Sequence, residues 1–198
     1  MLTDSQDELH TDYASPADKY NDNASHSDNA GVHSADDNAQ EKHFTDEELA
    51  SLRKLFLQAE TALKKKNDAN YFMLADQLEA YPLYPYLQYR WLKKHLGRER
   101  QVKHFLEEHE SSRYAAILRR QWLTHLAGKG QWQTYLEHYE TTSNTGLNCY
   151  YHLAQYKTGD TQAALEGAKK LWAVGRSQPK TCDPLFAKLK KSNLFNQE

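Results

Sequence analysis

The chain has 198 residues, 39% of them hydrophobic, and a formal net charge of −2. No run approaches the ~20 apolar residues of a membrane span, and Met1-Leu-Thr-Asp-Ser-Gln-Asp-Glu has neither the basic start nor the apolar stretch of a signal peptide. Charge is unevenly split: residues 1–43 carry ten acidic residues and two lysines, a net of −8, which leaves +6 on residues 44–198, too mild and too scattered an excess to suggest nucleic acid.

Residues 1–43 are rich in Asp, Asn, Ala, Ser and His, with Leu2, Leu9, Tyr13, Tyr20 and Val32 as the few larger apolar residues. Such a segment buries too little apolar surface to offset the entropy of ordering, so a disordered acidic tail is expected. Its loose echo, His26-Ser-Asp-Asn-Ala and His33-Ser-Ala-Asp-Asp-Asn-Ala, is typical of low-complexity sequence. Residues 44–198 fit one domain and read as helix throughout. Thr45 with Glu48 forms a capping box that opens a first helix running to about Lys66, with Leu49, Leu52, Phe56, Ala59 and Leu63 at helical spacing. A second helix is expected over Ala69–Ala80. Pro82 disfavours helix at Tyr81, and Pro85 suits the first turn of a third helix running to Leu96, with Gly97 as its C-cap. The fourth spans Glu99–His109. The fifth is capped by Ser111 and ends at Gly128. The sixth covers Trp132–Tyr139, and a polar loop of residues 141–146 precedes a seventh over Leu147–Lys157. The eighth runs from after Asp160 to Val174, stopped by Gly175. Asp183-Pro184 opens a ninth as N-cap and N1.

Nine short-looped helices predict antiparallel pairs stacked into an all-α solenoid or superhelix. Leu153-Ala-Gln-Tyr156, Gly159-Asp160, Ala164 and Ala168 look like the middle of a tetratricopeptide-type hairpin, where small residues let two helices approach closely. A solenoid cut after its ninth helix is expected to expose Leu185, Phe186, Leu189 and Leu194 and to be marginally stable or self-associating, because each repeat buries its face on the next.

Catalytic signals are weak. Glu47-Glu48 and Glu107-Glu108 are adjacent carboxylates, and neighbours on a helix point about 100° apart, which does not suit one shared site. Glu47 and Glu48 are explained by the dipole of the first helical turn. No two histidines of the helical region have the three- or four-residue spacing of a helical metal site, so no metal is expected. No nucleophile-elbow, zinc-protease, Cys-x-x-Cys, phosphate-loop or dinucleotide string is present, and no cofactor is implied. From composition alone, Cys149 and Cys182 read as two unpaired buried thiols. Most of the aromatic residues between Tyr84 and Trp172 are expected to pack helices together. On a concave face, Tyr84 or Tyr89 with Arg90 or Arg113 could instead stack on sugars or peptide stems, and these four are the candidate substrate-binding residues.

Two blocks of sequence point to a family. Tyr81-Pro-Leu-Tyr-Pro-Tyr-Leu-Gln-Tyr-Arg90 resembles the Y-P-L-Y-P-Y-L-E-Y-R string in the N-terminal domain of soluble lytic murein transglycosylases. Cys149-Tyr-Tyr-His-Leu-Ala, Thr158-Gly through Leu171-Trp172, Gly175-Arg-Ser-Gln-Pro179 and Cys182-Asp-Pro-Leu-Phe186 resemble, in the same order, that domain's C-N-Y-Y-Y-A, T-G…G-A-K-x-L-W, G-K-S-Q-P and C-D-x-L-F strings. The resemblance covers roughly residues 45–190. It implies a periplasmic protein of peptidoglycan turnover, from enzymes that cleave the MurNAc–GlcNAc bond to a 1,6-anhydro product. It implies the helical U-shaped domain of such an enzyme, with peptidoglycan as partner, and a Cys149–Cys182 disulfide suited to an oxidising compartment.

The family's catalytic glutamate lies in a lysozyme-like domain, in an E-S-x-F-style stretch followed by a G-L-M-Q-like string. Nothing after Phe186 resembles either, so no catalytic residue is carried over, and the chain is expected to be a scaffold, inactive alone. The competing expectation is a free-standing tetratricopeptide-like adaptor that binds a protein partner on its concave face.

Overall fold

A computed structural model describes residues 44–175 and 177–192. The predicted acidic tail lies outside the described residues. Those residues are all-α, with no strand among them, as the periodicity predicts. They fall into two compact units divided after Trp91.

The first unit holds α1 (Asp46–Lys64), α2 (Asp68–Ala75) and α3 (Tyr84–Leu92). Thr45 and Glu48 form the predicted capping box: the Thr45 N–H donates to Glu48 Oε2 at 2.8 Å, and the Glu48 N–H donates to Thr45 Oγ1 at 3.2 Å. Asn67 caps α2 by accepting from the Asn70 N–H at 3.1 Å. The helix predicted over residues 69–80 stops short as α-helix, tightening into a single 3-10 turn at Asp76–Leu78 that leads into the proline joint. Ala59, Leu63, Tyr71, Ala75, Leu78 and Leu87 are its buried core.

The second unit holds α4 (Glu99–Glu108), α5 (Arg113–Lys129), α6 (Trp132–His138), α7 (Thr145–Thr158), α8 (Thr161–Trp172) and α9 (Asp183–Lys190). Short loops make consecutive helices antiparallel neighbours. Trp122, Tyr135, Phe105 and Leu118 are fully or almost fully buried at its centre.

Several boundaries differ from those predicted, each for a local reason. α3 ends at Leu92 and not at Leu96, because the next residues form two successive turns, His95 N–H to Leu92 O at 2.8 Å and Arg98 N–H to His95 O at 2.9 Å. Gly97 therefore caps nothing. Ser112, one residue later than Ser111, caps α5 by accepting from the Ala115 N–H at 3.1 Å. α5 runs past Gly128 to Lys129, and Gly130 ends it at φ +71°, the left-handed conformation a C-cap glycine supplies. Asn144 starts α7 inside the predicted loop, accepting from the Leu147 N–H at 3.1 Å. A 3-10 turn at Lys180–Cys182 leads straight into α9, so Cys182 takes the N-cap position and Asp183 the first helical one.

Of the residues expected to be exposed, Leu194 lies outside the described residues, and the expectation is overturned for Leu185, Phe186 and Leu189. They are 0%, 6% and 0% exposed, packed with Cys149, Leu153, Leu165, Ala168 and Cys182. α9 turns its apolar face back onto α7 and α8, where a continuing solenoid was expected to present it forward.

Candidate functional site

The proline joint of residues 81–90 is built by packing. Tyr81 is buried with its ring 5.8 Å from Phe56, and Tyr86 stacks on the other side of Phe56 at 6.1 Å. Glu60 of α1 then meets the end of the joint. Its Oε1 accepts from Tyr86 Oη at 3.2 Å and from Arg90 Nη1 at 3.3 Å, while Arg90 Nη1 also donates to Tyr86 Oη at 2.5 Å. Arg90 is thus committed to a half-buried triad that closes α3 onto α1. Tyr89 is buried among the helices, and Tyr84 is half-buried at the start of α3. Arg113 is the exposed first residue of α5, in the second unit. The first unit brings three of the four predicted binding residues into one joint; of its two candidate tyrosines, Tyr84 is the more accessible.

Tyr71 lies deep in the same unit. Burial, then Tyr84 and Asp68, pushes its phenol far above the ordinary range, so it stays neutral. Glu47 and Glu48 line an open groove with Leu52, Gln77 and Tyr81, but the Glu48 carboxylate is already held by Thr45.

In the second unit the aromatic residues form a ladder. Tyr135 is fully buried and donates its hydroxyl to the Leu147 carbonyl at 2.8 Å. Tyr139 stacks near-parallel on Tyr151, centroids 4.3 Å apart, and donates to Asn148 Oδ1 at 2.7 Å. Asn148 Nδ2 donates in turn to the Thr142 carbonyl at 3.1 Å. Burial raises both phenols; Tyr139 and Tyr150 add to the effect at Tyr135, and Tyr151 adds to it at Tyr139. Tyr139, which also stacks on Tyr135 at 6.0 Å, is half-buried, as are Tyr150 and Tyr151.

His152 continues the ladder and explains a motif glycine. Its Nδ1 lies 2.8 Å from Gln155 Oε1, and its ring sits directly against α8 at Gly167. A Cβ at residue 167 would overlap ring atoms of His152. Glycine here admits the imidazole between α7 and α8. Gly167→Ala is therefore expected to destabilise by about 1–3 kcal/mol through overpacking, despite the ~1 kcal/mol helix-propensity gain of alanine. In a His152→Ala background the same substitution becomes neutral or stabilising, and a double-mutant cycle by urea denaturation reads the coupling. No loss in the wild-type background would contradict the close approach.

His138 packs its ring 4.9 Å from Trp122. Burial, then the positive charges of Lys103 and Arg119, holds its pKa below the ordinary value, with Glu137 and Glu99 opposing. With the folded value depressed, the neutral ring is the form that the fold prefers. This contribution to stability is fully present above about pH 6.5 and declines as pH falls from there through the lower folded value. His138→Gln is expected to flatten the melting temperature's pH dependence in that acid window; an unchanged slope would contradict it.

Cys149 of α7 and Cys182 are joined in a disulfide, Cα atoms 5.0 Å apart, and both are fully buried. The bond ties α7 to the entry of α9 where Leu185, Phe186 and Leu189 pack. Among the described residues no group of three His, Cys, Asp or Glu side chains is arranged to hold a metal ion, and no helix is long and apolar enough to cross a membrane.

Comparison with known proteins gives a consistent set of relatives. The chain is 37% identical over 113 residues to a soluble lytic murein transglycosylase of Salmonella typhimurium and 35% identical to one of Escherichia coli K12. Each match takes in 56% of this chain but only 18% of the relative. Among solved structures, the Escherichia coli 70-kDa soluble lytic transglycosylase SLT70 superposes with a TM-score of 0.68 and 29% identity, over 76% of this chain and 24% of that one. A complex of the 70-kDa enzyme with bulgecin A gives the same values. An inactive mutant of the lytic transglycosylase Slt from Pseudomonas aeruginosa gives a TM-score of 0.64 and 37% identity, over 70% and 23% of the two chains. No family model matches.

Proposed function

We propose, for a chain that belongs to the soluble lytic murein transglycosylase family, that residues 44–198 act as its non-catalytic helical scaffold in peptidoglycan turnover. One observation carries the reading: 76% of this chain overlays SLT70 while occupying only 24% of that chain. The matched part is helix packed on helix, and several of its carboxylates serve in caps and ion pairs. Glu48 closes a helix terminus, Glu60 holds Arg90, and Glu140 pairs with Arg119.

In this reading the scaffold holds wall polymer and does not cut it. The accessible parts of the half-buried Tyr139, Tyr150 and Tyr151 then meet sugar rings, and half-buried Tyr84 offers a second contact. The periplasm is the proposed compartment. The buried Cys149–Cys182 bond supports it, since such bonds persist where the surroundings are oxidising.

Co-sedimentation with purified sacculi tests the proposal. The chain is expected to pellet with sacculi well above an albumin control, and Tyr139→Ala with Tyr151→Ala is expected to weaken retention. Pelleting no greater than that of albumin would overturn a wall-binding role.

A further inference from the structure

The open groove beside the α1 capping box has a volume of about 570 Å³, within the range of small-ligand sites, and lies wholly in the first unit. One wall is the start of α1. The other is the chain that leads from the 3-10 turn at Asp76–Leu78 into the proline joint. Phe44 and Leu52 make part of the lining apolar.

Its polar groups have unused capacity to accept hydrogen bonds. The Glu47 carboxylate makes no ion pair or hydrogen bond among the described residues, and neither does the hydroxyl of Ser51, one turn further along the same helix face. Gln77 spends its amide N–H on the Met73 carbonyl at 3.0 Å, which leaves its Oε1 without a donor among the described residues. Tyr81 is only 8% exposed, yet its hydroxyl has no hydrogen-bond partner among the described residues and is not sealed from solvent. A phenol this deeply buried ordinarily finds a partner. Tyr81 lines the groove, so the groove is where its hydroxyl can find one.

Charge decides the class of occupant. Two of the lining residues are acidic and none is basic. The positive end of the α1 dipole, roughly half a charge, opposes a cation, but Asp46, Glu47 and Glu48 all stand in that first turn and the local sum stays negative. Free acceptors beside an apolar wall suit a positively charged group that only donates hydrogen bonds and is carried on a hydrocarbon stem. An alkylammonium has three donors and no acceptor, and its stem lies readily along apolar surface.

We propose that this groove binds the primary ammonium of a peptide side chain. Glu47 supplies the counter-charge, Gln77 and Tyr81 supply the remaining acceptors, and Phe44 and Leu52 form the wall for the stem. The inference stands apart from the wall-binding role proposed above, which places its sugar contacts on other residues.

A nuclear magnetic resonance titration of the isotope-labelled full chain tests it, with the peptide acetyl-Ala-Lys-Ala-amide as probe and the same peptide acetylated on its lysine amine as the uncharged control. Saturable shifts of the backbone amides of Glu47, Ser51 and Gln77 are expected with the free amine and not with the acetylated peptide. Glu47→Gln should weaken binding by about tenfold or more, the scale of a lost hydrogen bond to a charged group. Tyr81→Phe, which keeps the ring and removes only the hydroxyl, should weaken it several-fold. Absence of saturable shifts, equal shifts with both peptides, saturation confined to other residues, or an unchanged Kd in Glu47→Gln would each overturn the proposal. The comparison of the two peptides on the unmodified chain decides the matter even if a variant does not fold.

Discussion

Replacing Cys149 and Cys182 together with alanine is expected to lower the stability of the second unit by about 3–4 kcal/mol. The bond joins residues 33 apart in sequence. Without it, the unfolded chain recovers the loop-closure entropy of that whole span, which contains α8 and both of its turns. The sulfurs are also part of the core. They pack with Leu153, Leu165, Ala168, Leu185 and Leu189, so their removal leaves space that those side chains fill only in part. Oxidised wild type and the double variant, compared by urea denaturation, give the difference directly. The effect should concentrate in α9, whose short helix of eight residues is too short to persist without its packing. A difference under about 1 kcal/mol would show that packing alone fixes α9, and that the loop-closure term of the account is wrong.

Trp122→Ala should cost a similar amount, about 3–5 kcal/mol, because the indole is fully buried. The loss is one of packing. The indole Nε1 has no hydrogen-bond acceptor, so no donor–acceptor pair is broken when the ring is removed. What goes is a large apolar volume between α5 and the end of α6, together with the tilted contact to His138. Two consequences separate this from a hydrogen-bond effect. Trp122→Phe, which keeps a ring against His138, should recover more than half of the loss. The depressed titration of His138 should move back toward its ordinary value in Trp122→Ala, because water then reaches the imidazole. If the phenylalanine variant is as unstable as the alanine variant, shape-filling by the ring is not what Trp122 supplies.

These two residues show what the sequence makes legible. Cys149 and Cys182 are uninformative as a pair of cysteines; only their place in a longer string that resembles a known helical domain suggested that they join. Helix existence was legible because Leu, Ala and Phe recur at a period near 3.6 and because Thr45, Asp160 and the proline joint punctuate the chain. Boundaries were less so. Ser111 and Ser112, or Gly128 and Gly130, are chemically equal candidates for one cap, and only backbone conformation chooses between them. The final helix went wrong for a different reason. An apolar stripe says that a helix is covered, not by what, and α9 folds back on α7 and α8 where a solenoid continues outward.

The proposed binding residues follow the same logic. Arg90 stands out in the Tyr81–Arg90 string, but its partner Glu60 is thirty positions away and carries no local signal. Tyr139 and Tyr151 were visible as aromatics, yet their stacking depends on the loop that Asn144 and Asn148 organise. Gly167 belongs to a string that resembles the family's, and the His152 ring against it supplies the physical reason.

The central claim is that these helices hold peptidoglycan without cutting it. The most direct test is to incubate the purified, oxidised chain with sacculi and analyse the soluble fraction by liquid chromatography and mass spectrometry for 1,6-anhydromuramyl products. The account predicts none above a buffer control while the chain itself is recovered in the pellet. Release of anhydro products by the chain alone would contradict it.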